Sequence, residues 1–339
     1  MTGELPGLDP ERLRAYLDSV VPGLVSGPLE GRVIAGGKSN LTYVVTDGAG
    51  SWVVRRPPLG HVLATAHDMP REYRVMTALR DTPVPVPRTY ALCEDADVLG
   101  APFYVMEHVA GTPFRTRDEI AVLGAERVRA VAESLISTLG ALHAVVPEEV
   151  GLGDFGRPAG FLERQVRRWG KQLDASRSRD IPGIDELRDG LAGTIPEQSA
   201  PAIVHGDYRL DNVLVTPEGD LTAVLDWEMA TLGDPLVDLG LMLVYREQAA
   251  DVGGDSAPAT SAEGFATSAE LVELYTAATG RDVSRLAWYV AFGCFKLAVI
   301  AEGIHFRHSR GLTVGAGFDR IGAMVAPLVE RAHATLKEQ

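Results

Sequence analysis

A polar loop between two short apolar runs constrains this sequence more than any other segment does. The runs are Ile203–Val204 and Val213–Val215, and the loop between them contains Asp207 and Asn212. Short apolar runs bounded by polar residues are typical of buried strands. Phosphoryl transfer needs a carboxylate that orients the attacking hydroxyl and accepts its proton, and a neutral oxygen ligand for magnesium. An Asp and an Asn five residues apart on one loop can supply both, although an isolated pair of this kind also fits an ordinary polar turn.

A carboxylate at the end of the next strand favours the catalytic interpretation over the polar turn. The run Leu221–Leu225 predicts a strand that ends at Asp226, 14 residues after Asn212. A turn at residues 217–220 would bring Asp226 back beside Asn212. Magnesium prefers one or two carboxylates, a neutral oxygen and substrate phosphates, so these two side chains supply the protein part of that set. We therefore predict that Asp207 is catalytic and that Asn212 and Asp226 are metal ligands.

The order of the predicted elements divides the chain near Gly111. Strand-like runs dominate before this residue, with one helical segment at Pro70–Leu79, and helical patterns dominate after it. A short opening helix is predicted over Leu8–Val20, and the polar stretch Ala249–Thr267 has the composition of a loop. We expect an α+β protein with an antiparallel-sheet N-lobe over residues 1–110 and a mainly helical C-lobe over residues 111–339.

The motif His-Gly-Asp-x-x-x-x-Asn, followed by a strand that ends in Asp-Trp-Glu, resembles the catalytic and metal-binding motifs of aminoglycoside phosphotransferases and choline kinases. The resemblance continues through a Gly-Asp-Pro-x-x-Asp-Leu segment at 233–239. Protein kinases are more distant relatives of these families, with His-Arg-Asp-x-x-x-x-Asn and Asp-Phe-Gly as the matching motifs. The resemblance implies a two-lobed protein-kinase-like fold and a phosphotransferase that uses ATP and Mg²⁺. It also implies that Asp234 and Asp238 support the catalytic loop.

A glycine-containing segment of the N-lobe resembles the phosphate-covering hairpin of the family. Gly36, Gly37, Ser39 and Asn40 lie between two strand-like runs. Glycine lets backbone N–H groups approach phosphates closely, and Ser39 adds a hydroxyl donor. We expect these four residues to bind the nucleotide, while an ordinary hairpin turn would have a similar composition.

The third N-lobe strand carries an arginine where the family usually has a lysine. By the resemblance, Arg55 is the cation that holds the α- and β-phosphates, and Glu72 on the following helix is its partner. Arginine binds phosphate bidentately and keeps its charge, so the role remains feasible, and a surface-strand position is the alternative. The resemblance further implies that backbone groups of Glu107 and Val109 bind the adenine.

Composition and charge exclude several other classes of function. The 46 acidic residues exceed the 32 basic ones, giving a formal charge of −14, and such a surface repels a nucleic-acid backbone. Two widely separated cysteines support neither a disulfide framework nor a structural zinc site. The apolar run Leu286–Ala301 contains Lys296 and is short for a membrane span, so we expect a buried helix. No secretory-signal pattern is visible at the start, and we expect a cytoplasmic protein with no membrane partner.

The acceptor of the phosphoryl group is the open question. Arg-Arg-Pro-Pro after the third strand and the segment at 104–114 resemble a kinase-like domain that is fused to some acyl-CoA dehydrogenases. This implies a hydroxylated acyl compound or another small-molecule metabolite as acceptor, with an aminoglycoside as the alternative. Two other classes stay open: a regulatory nucleotide-binding pseudokinase, which the missing lysine favours, and a metal-dependent hydrolase. The sequence does not distinguish ATP from GTP, and it does not determine the oligomeric state.

Overall fold

The computed structural model of the protein describes residues 5–34, 40–59, 68–251, 257–312 and 317–337. The chain divides into two compact units. Unit 1 comprises residues 1–112, 213–216 and 221–230, and unit 2 comprises residues 113–212, 217–220 and 231–339. Unit 1 is built on an antiparallel sheet and unit 2 is mainly helical, so the predicted α+β organisation is confirmed.

The strands of the described residues form three antiparallel sheets. In chain order they are β1 (Glu30–Val33), β2 (Leu41–Thr46), β3 (Ser51–Arg56), β4 (Thr89–Cys93), β5 (Phe103–Glu107), β6 (Ala202–Val204), β7 (Val213–Val215), β8 (Leu221–Val224) and β9 (Thr231–Gly233). The largest sheet has the order β1-β2-β3-β5-β4, so β3 lies between β2 and β5. The predicted hairpin is present as β7 paired with β8, and β6 pairs with β9.

Helices make up most of unit 2 and part of unit 1. In chain order they are α1 (Pro10–Val20), α2 (Met69–Leu79), α3 (Ala96–Leu99), α4 (Arg117–Ala121), α5 (Ala125–Ala144), α6 (Phe161–Ser176), α7 (Ile184–Gly193), α8 (Leu236–Asp251), α9 (Ser268–Thr279), α10 (Leu286–Ser309) and α11 (Val325–Lys337). The predicted loop Ala249–Thr267 therefore begins later than expected, because α8 continues to Asp251. Residues 252–256 of that loop lie outside the described residues.

Local chemistry explains how α1 begins. The Asp9 side chain accepts hydrogen bonds from the N–H groups of Glu11 and Arg12, at 3.0 and 3.1 Å. The first turn of a helix has no internal acceptor for its N–H groups, and a side-chain oxygen at the N-cap satisfies them. Pro10 occupies the first helical position, where its missing N–H costs nothing.

The two faces of the large sheet carry different residues of β3. Trp52 and Val54 of β3 are buried in one apolar cluster with Leu13 and Leu17 of α1. Successive strand residues point to opposite faces, so residue 55 must lie on the other side from this cluster. The apolar cluster that includes α1 thus lies on one face of the sheet, while Arg55 lies on the opposite face of β3 together with the buried Val53.

One described helix, α10, is long and apolar enough to cross a membrane by length and composition alone. Its most apolar window is 78% buried inside the protein, and a core helix passes the same test. Trp288 and Phe295 on this helix are fully buried. The predicted buried helix is therefore confirmed, and it extends past Ala301 to Ser309.

Arg56 provides a test of how unit 1 is held together. Its side chain is buried, and Nη1 donates to the carbonyl oxygens of Gly7 and Leu99 at 2.5 and 2.7 Å. Arg56→Ala leaves both carbonyls without this donor, so we expect the free energy of unfolding to fall by about 2–4 kcal/mol in urea titrations. Arg32→Ala, at an exposed position of β1, is the control and should change it by less than about 0.5 kcal/mol. Equal losses in the two variants would contradict this role for Arg56.

Candidate active site

The predicted catalytic loop follows β6 in unit 2, and its backbone is anchored by Asp238 of α8. The Asp238 carboxylate is fully buried and accepts hydrogen bonds from the N–H groups of His205 and Gly206, both at 2.7 Å. Gly206 has a φ of 84°, a conformation that glycine adopts without steric cost. Both carboxylate oxygens therefore hold the loop backbone, which is the supporting role that the resemblance implied for Asp238.

Asp238 is itself supported by a buried histidine. His143 Nε2 lies 3.3 Å from Asp238 Oδ2, and His143 Nδ1 lies 2.9 Å from the Tyr275 hydroxyl. Burial lowers the pKa of His143, so the ring is neutral at neutral pH. A carboxylate can only accept, so Nε2 carries the proton and Nδ1 accepts from Tyr275. Burial alone would raise the pKa of Asp238, but the hydrogen bonds from His143 and from the His205 N–H hold it below its ordinary value.

Asp234 is also structural, but its hydrogen bonds hold Ser199, Leu236 and Tyr289 instead of the catalytic loop that the resemblance implied it supports. Its carboxylate accepts hydrogen bonds from the Ser199 N–H and hydroxyl at 2.9 and 2.8 Å. The Tyr289 hydroxyl of α10 donates to the same carboxylate at 2.9 Å. Asp234 is fully buried, so its charge is compensated by these donors rather than by solvent.

Asp207, the predicted catalytic residue, is partly exposed and held at both carboxylate oxygens. Oδ1 accepts from the Tyr245 hydroxyl at 2.7 Å, and Oδ2 accepts from Asn212 Nδ2 at 3.0 Å. The same Asn212 nitrogen donates to the Asp207 carbonyl oxygen at 2.9 Å. Because the amide nitrogen of Asn212 faces Asp207, its carbonyl oxygen is the atom available to a cation.

Two cationic side chains lie close to Asp207. Lys296 of α10 is buried, and its Nζ donates to the Gly206 carbonyl oxygen at 2.6 Å. Burial lowers the pKa of Lys296, and the charge of Asp207 opposes that shift. Arg209 forms an ion pair with Asp211, and its Cζ lies 4.4 Å from the centroid of the Tyr245 ring. These two cations are balanced by acidic neighbours, since Arg209 pairs with Asp211 and Lys296 lies near Asp207 and Asp238.

Arg55 and Glu72, which were predicted to pair, form a buried ion pair in unit 1. Arg55 Nε lies 3.0 Å from Glu72 Oε2, at an angle too bent for a hydrogen bond, and the two side chains are 14% and 1% exposed. The Tyr104 hydroxyl donates to the same oxygen at 2.9 Å, and Tyr104 lies directly opposite Arg55 in the β3–β5 register. Burial raises the pKa of Glu72, while Arg55 and the Tyr104 hydroxyl oppose that shift.

Asp226 follows β8 in the same unit and meets the other end of the Arg55 side chain. Arg55 Nη2 lies 2.5 Å from Asp226 Oδ1, so the guanidinium contacts the carboxylates of Glu72 and Asp226 together. Among the described residues, Asp226 is the one non-glycine residue with a positive φ, at 65°. Such backbone geometry is costly for L-residues and is concentrated at functional sites. Asp226 thus combines an unusual backbone with a partly exposed carboxylate, 31% of which is accessible.

The predicted phosphate-covering segment is described only at Asn40. Asn40 Nδ2 lies 3.3 Å from Glu72 Oε1 and 3.4 Å from Glu228 Oε2. Its Oδ1 is buried and has no hydrogen-bond partner among the described residues. The other three predicted residues of this segment lie outside the described part of the chain: Gly36, Gly37 and Ser39.

The predicted adenine contacts lie at the end of β5. The Glu107 N–H donates to the Arg88 carbonyl oxygen at 2.7 Å, and Glu107 Oε2 accepts from the Arg88 N–H at 3.2 Å. The Glu107 N–H is therefore already used in unit 1, and its carbonyl oxygen is the backbone group that stays a candidate for adenine. Val109 lies two residues beyond the strand, and its adenine contact stays a prediction.

Three residues of the site were not identified from the sequence. Tyr245 lies seven residues after Asp238 and therefore on the same face of α8, a spacing that could have indicated it. Lys296 interrupts an apolar helix, and a lysine buried in this way usually has a partner. Tyr104 carries no such signal, because its position opposite Arg55 depends on β5 pairing with β3.

The described residues contain no group of three or more His, Cys, Asp or Glu side chains arranged to hold a metal ion. Magnesium in phosphoryl-transfer sites is commonly bound by one or two protein ligands together with substrate phosphates. The carbonyl oxygen of Asn212 and the carboxylate of Asp226 have the hard-oxygen chemistry for such a role.

Comparisons with known proteins agree on one family and one fold. The model of the phosphotransferase enzyme family matches residues 30–289. Acyl-CoA dehydrogenase family member 11 of Gallus gallus is 34% identical over 334 residues, which cover 95% of this chain and 43% of that protein. The chain thus spans less than half the length of the curated relatives it matches.

Solved structures give the same result for the fold. A Ralstonia eutropha JMP134 protein, provisionally named an aminoglycoside phosphotransferase, has a TM-score of 0.83 and 34% identity, with 97% of this chain and 98% of that chain covered. A complex of aminoglycoside phosphotransferase APH(4)-Ia with ADP and hygromycin B has a TM-score of 0.62 and 15% identity, with 96% and 97% covered. These similarities confirm the predicted protein-kinase-like fold.

Asp238→Asn tests the anchoring of the catalytic loop. Asparagine offers one acceptor oxygen where Asp238 offers two, so one buried N–H loses its partner and we expect the free energy of unfolding to fall by about 2–3 kcal/mol. Asp211→Asn, on the same loop but 28% exposed, is the matched control and should cost less than about 1 kcal/mol in urea titrations. The pKa of Asp238 is lower in the folded protein than in the unfolded chain, where it is about 3.9. Its contribution to the free energy of unfolding is therefore complete above about pH 3.9 and is lost as the pH falls below that value. Equal losses in the two variants at neutral pH would count against the anchoring role.

Proposed function

Because the chain belongs to the phosphotransferase enzyme family, we propose that it is an ATP- and magnesium-dependent kinase that phosphorylates a hydroxyl of a small molecule. The observation that carries this proposal is the Asp207 carboxylate, which is partly exposed and oriented by Asn212 and Tyr245. A base for an acceptor hydroxyl needs this combination of access and fixed geometry.

In the proposed reaction the acceptor oxygen attacks the γ-phosphorus of ATP. The bond between that phosphorus and the β–γ bridging oxygen breaks, and ADP leaves with the bonding electrons. The proton of the hydroxyl passes to Asp207 and then to solvent. Asp207 orients the hydroxyl before transfer, and a positioned base of this kind contributes about 10²–10⁴-fold to the rate.

Asn212 and Asp226 are the residues that would hold magnesium. The Asn212 amide is oriented with its nitrogen toward Asp207, so it offers a neutral oxygen, and Asp226 offers a carboxylate. Both are hard oxygen ligands, as magnesium prefers. When bound, the metal would neutralise negative charge on the transferring phosphates.

Arg55 is proposed to hold the α- and β-phosphates, with Glu72 as the carboxylate that fixes it. The guanidinium is largely buried, and its several N–H groups allow it to contact Glu72 and a second anionic group together. We further propose that the phosphates are contacted by the glycine-containing segment, at Gly36, Gly37, Ser39 and Asn40. The adenine would be bound by the backbone of Glu107 and Val109. ADP in the complex of the APH(4)-Ia neighbour supports nucleotide use.

The proposed acceptor is a hydroxylated acyl compound or another small metabolite. The similarity to acyl-CoA dehydrogenase family member 11 supports this choice, while the name of the Ralstonia eutropha neighbour supports an aminoglycoside. A cytoplasmic location without nucleic-acid or membrane partners stays part of the proposal.

The Asp226→Asn variant tests whether Asp226 binds magnesium and whether turnover depends on that metal. The change keeps the side-chain shape and removes its charge, so we expect turnover, measured as ADP release, to fall about 10²–10³-fold. ATP binding, measured by calorimetry with and without magnesium chloride, should lose its magnesium dependence. Asp220→Asn, an exposed carboxylate in the turn before β8, should behave as wild type. Magnesium-dependent binding that survives in Asp226→Asn, or turnover that survives EDTA, would show that the metal has another site or no role.

Asp207→Asn and a panel of hydroxyl compounds test the reaction and its acceptor. The panel contains hydroxyacyl compounds, choline and kanamycin, and we expect hydroxyacyl compounds to accelerate ADP release more than kanamycin does. Asp207→Asn should lower transfer about 10²–10⁴-fold with near-normal affinity for ATP and magnesium, because the base does not contact the nucleotide in the ground state. Turnover of kanamycin at about 1–100 per second would refute the proposal that the acceptor is a metabolite. If the wild type binds ATP but transfers the phosphoryl group to no compound of the panel, and Asp207→Asn behaves in the same way, the result would favour a pseudokinase.

A further inference from the structure

Helix α8 contacts the catalytic loop at two positions that lie two turns apart. Asp238 accepts from the loop backbone at His205 and Gly206, and Tyr245 donates its hydroxyl hydrogen to Asp207 Oδ1 at 2.7 Å. Seven residues are close to two helical turns, about 10 Å along one face, so one helix face presents both side chains to one loop. The helix therefore determines the backbone position of the loop and also the direction of its carboxylate.

The Tyr245 side chain is held at its ring as well as at its hydroxyl. The Arg209 guanidinium lies over the ring, with Cζ 4.4 Å from the centroid, and Arg209 is in turn paired with Asp211. Burial raises the pKa of Tyr245, and the charge of Asp207 adds to that shift. The hydroxyl therefore keeps its proton at neutral pH and can only donate to the carboxylate.

We propose that Tyr245 is a positioning residue for Asp207, an inference that rests on the proposed phosphotransfer reaction. An ionised carboxylate has about four acceptor positions, two on each oxygen. Tyr245 occupies one on Oδ1 and Asn212 occupies one on Oδ2, so the carboxylate cannot rotate and its remaining positions face a defined direction. Without the tyrosine hydroxyl, the carboxylate is held by Asn212 alone and samples orientations that do not engage the acceptor hydroxyl.

Tyr245→Phe removes the hydroxyl and keeps the ring under Arg209. We expect kcat to fall about tenfold, which corresponds to one hydrogen bond to a charged group, while KM for ATP and the Kd for ATP with magnesium stay within about twofold. The rate is ADP release with the acceptor that gives turnover in the panel, or with water as the acceptor where no compound does. An unchanged kcat, or a loss that appears in KM for ATP instead, would overturn the proposal.

A double-mutant cycle with Asp207→Ala separates positioning from a general structural effect. If Tyr245 acts through Asp207, Tyr245→Phe lowers the rate in the wild-type background and has no further effect once the carboxylate is absent. A structural role instead predicts the same fold-loss in both backgrounds, and that result would refute the proposal. Should Tyr245→Phe be unfolded at the assay temperature, the same cycle is measured at a lower temperature at which its circular dichroism matches that of the wild type.

Tyr289→Phe is the matched control. Tyr289 also donates its hydroxyl hydrogen to a buried carboxylate, that of Asp234, at 2.9 Å, and it has no contact with Asp207 among the described residues. We expect its melting temperature to fall while kcat stays within about twofold of wild type. A wild type that neither binds nor turns over ATP would refute the phosphotransfer reaction itself, whereas an active wild type whose Tyr245→Phe variant keeps the wild-type kcat would refute only the role of Tyr245.

Discussion

Two backbone N–H groups at the start of the catalytic loop donate to one buried carboxylate, and the arrangement of the site in unit 2 depends on this interaction. A buried N–H without an acceptor costs about 1–3 kcal/mol, so a loop held by two such bonds has little freedom to move away from Asp238. The carboxylate is stable in the interior because His143 donates to it. Since Asp238 belongs to α8, the same helix can also bring Tyr245 to Asp207.

In unit 1, two neighbouring arginines of β3 have different tasks because strand residues alternate between faces. Arg56 donates hydrogen bonds to backbone carbonyl oxygens and is structural, while Arg55 forms ion pairs with the carboxylates of Glu72 and Asp226. The guanidinium is a planar group with several donors, so one side chain can contact both carboxylates, whereas a lysine ammonium is a compact point charge. The Arg55 guanidinium therefore reaches both carboxylates, while its role as the phosphate-binding cation of the family stays a prediction.

The net charge of the chain does not describe the charges that surround its candidate catalytic residue, where basic side chains lie among carboxylates. The chain carries −14 overall, yet Lys296 and Arg209 lie beside Asp207. Charges near a site in a low-dielectric environment act on a ligand more strongly than distant, screened surface charges do. The charges around Asp207, of both signs, thus bear more directly on the choice of acceptor than the acidic composition of the whole chain does.

Local spacing by itself determined the loop that carries Asp207 and Asn212, since residues five apart between two strands must lie close together. It also determined the β7–β8 hairpin and the α+β organisation, because apolar periodicity and turn residues act over short distances. Only the tertiary structure decided that Tyr245 reaches Asp207 across 38 positions and that Lys296 reaches Gly206 across 90. It also decided that β3 pairs with β5 rather than β4. Such contacts depend on how whole helices and strands pack, and the spacing of residues along the chain does not encode that packing.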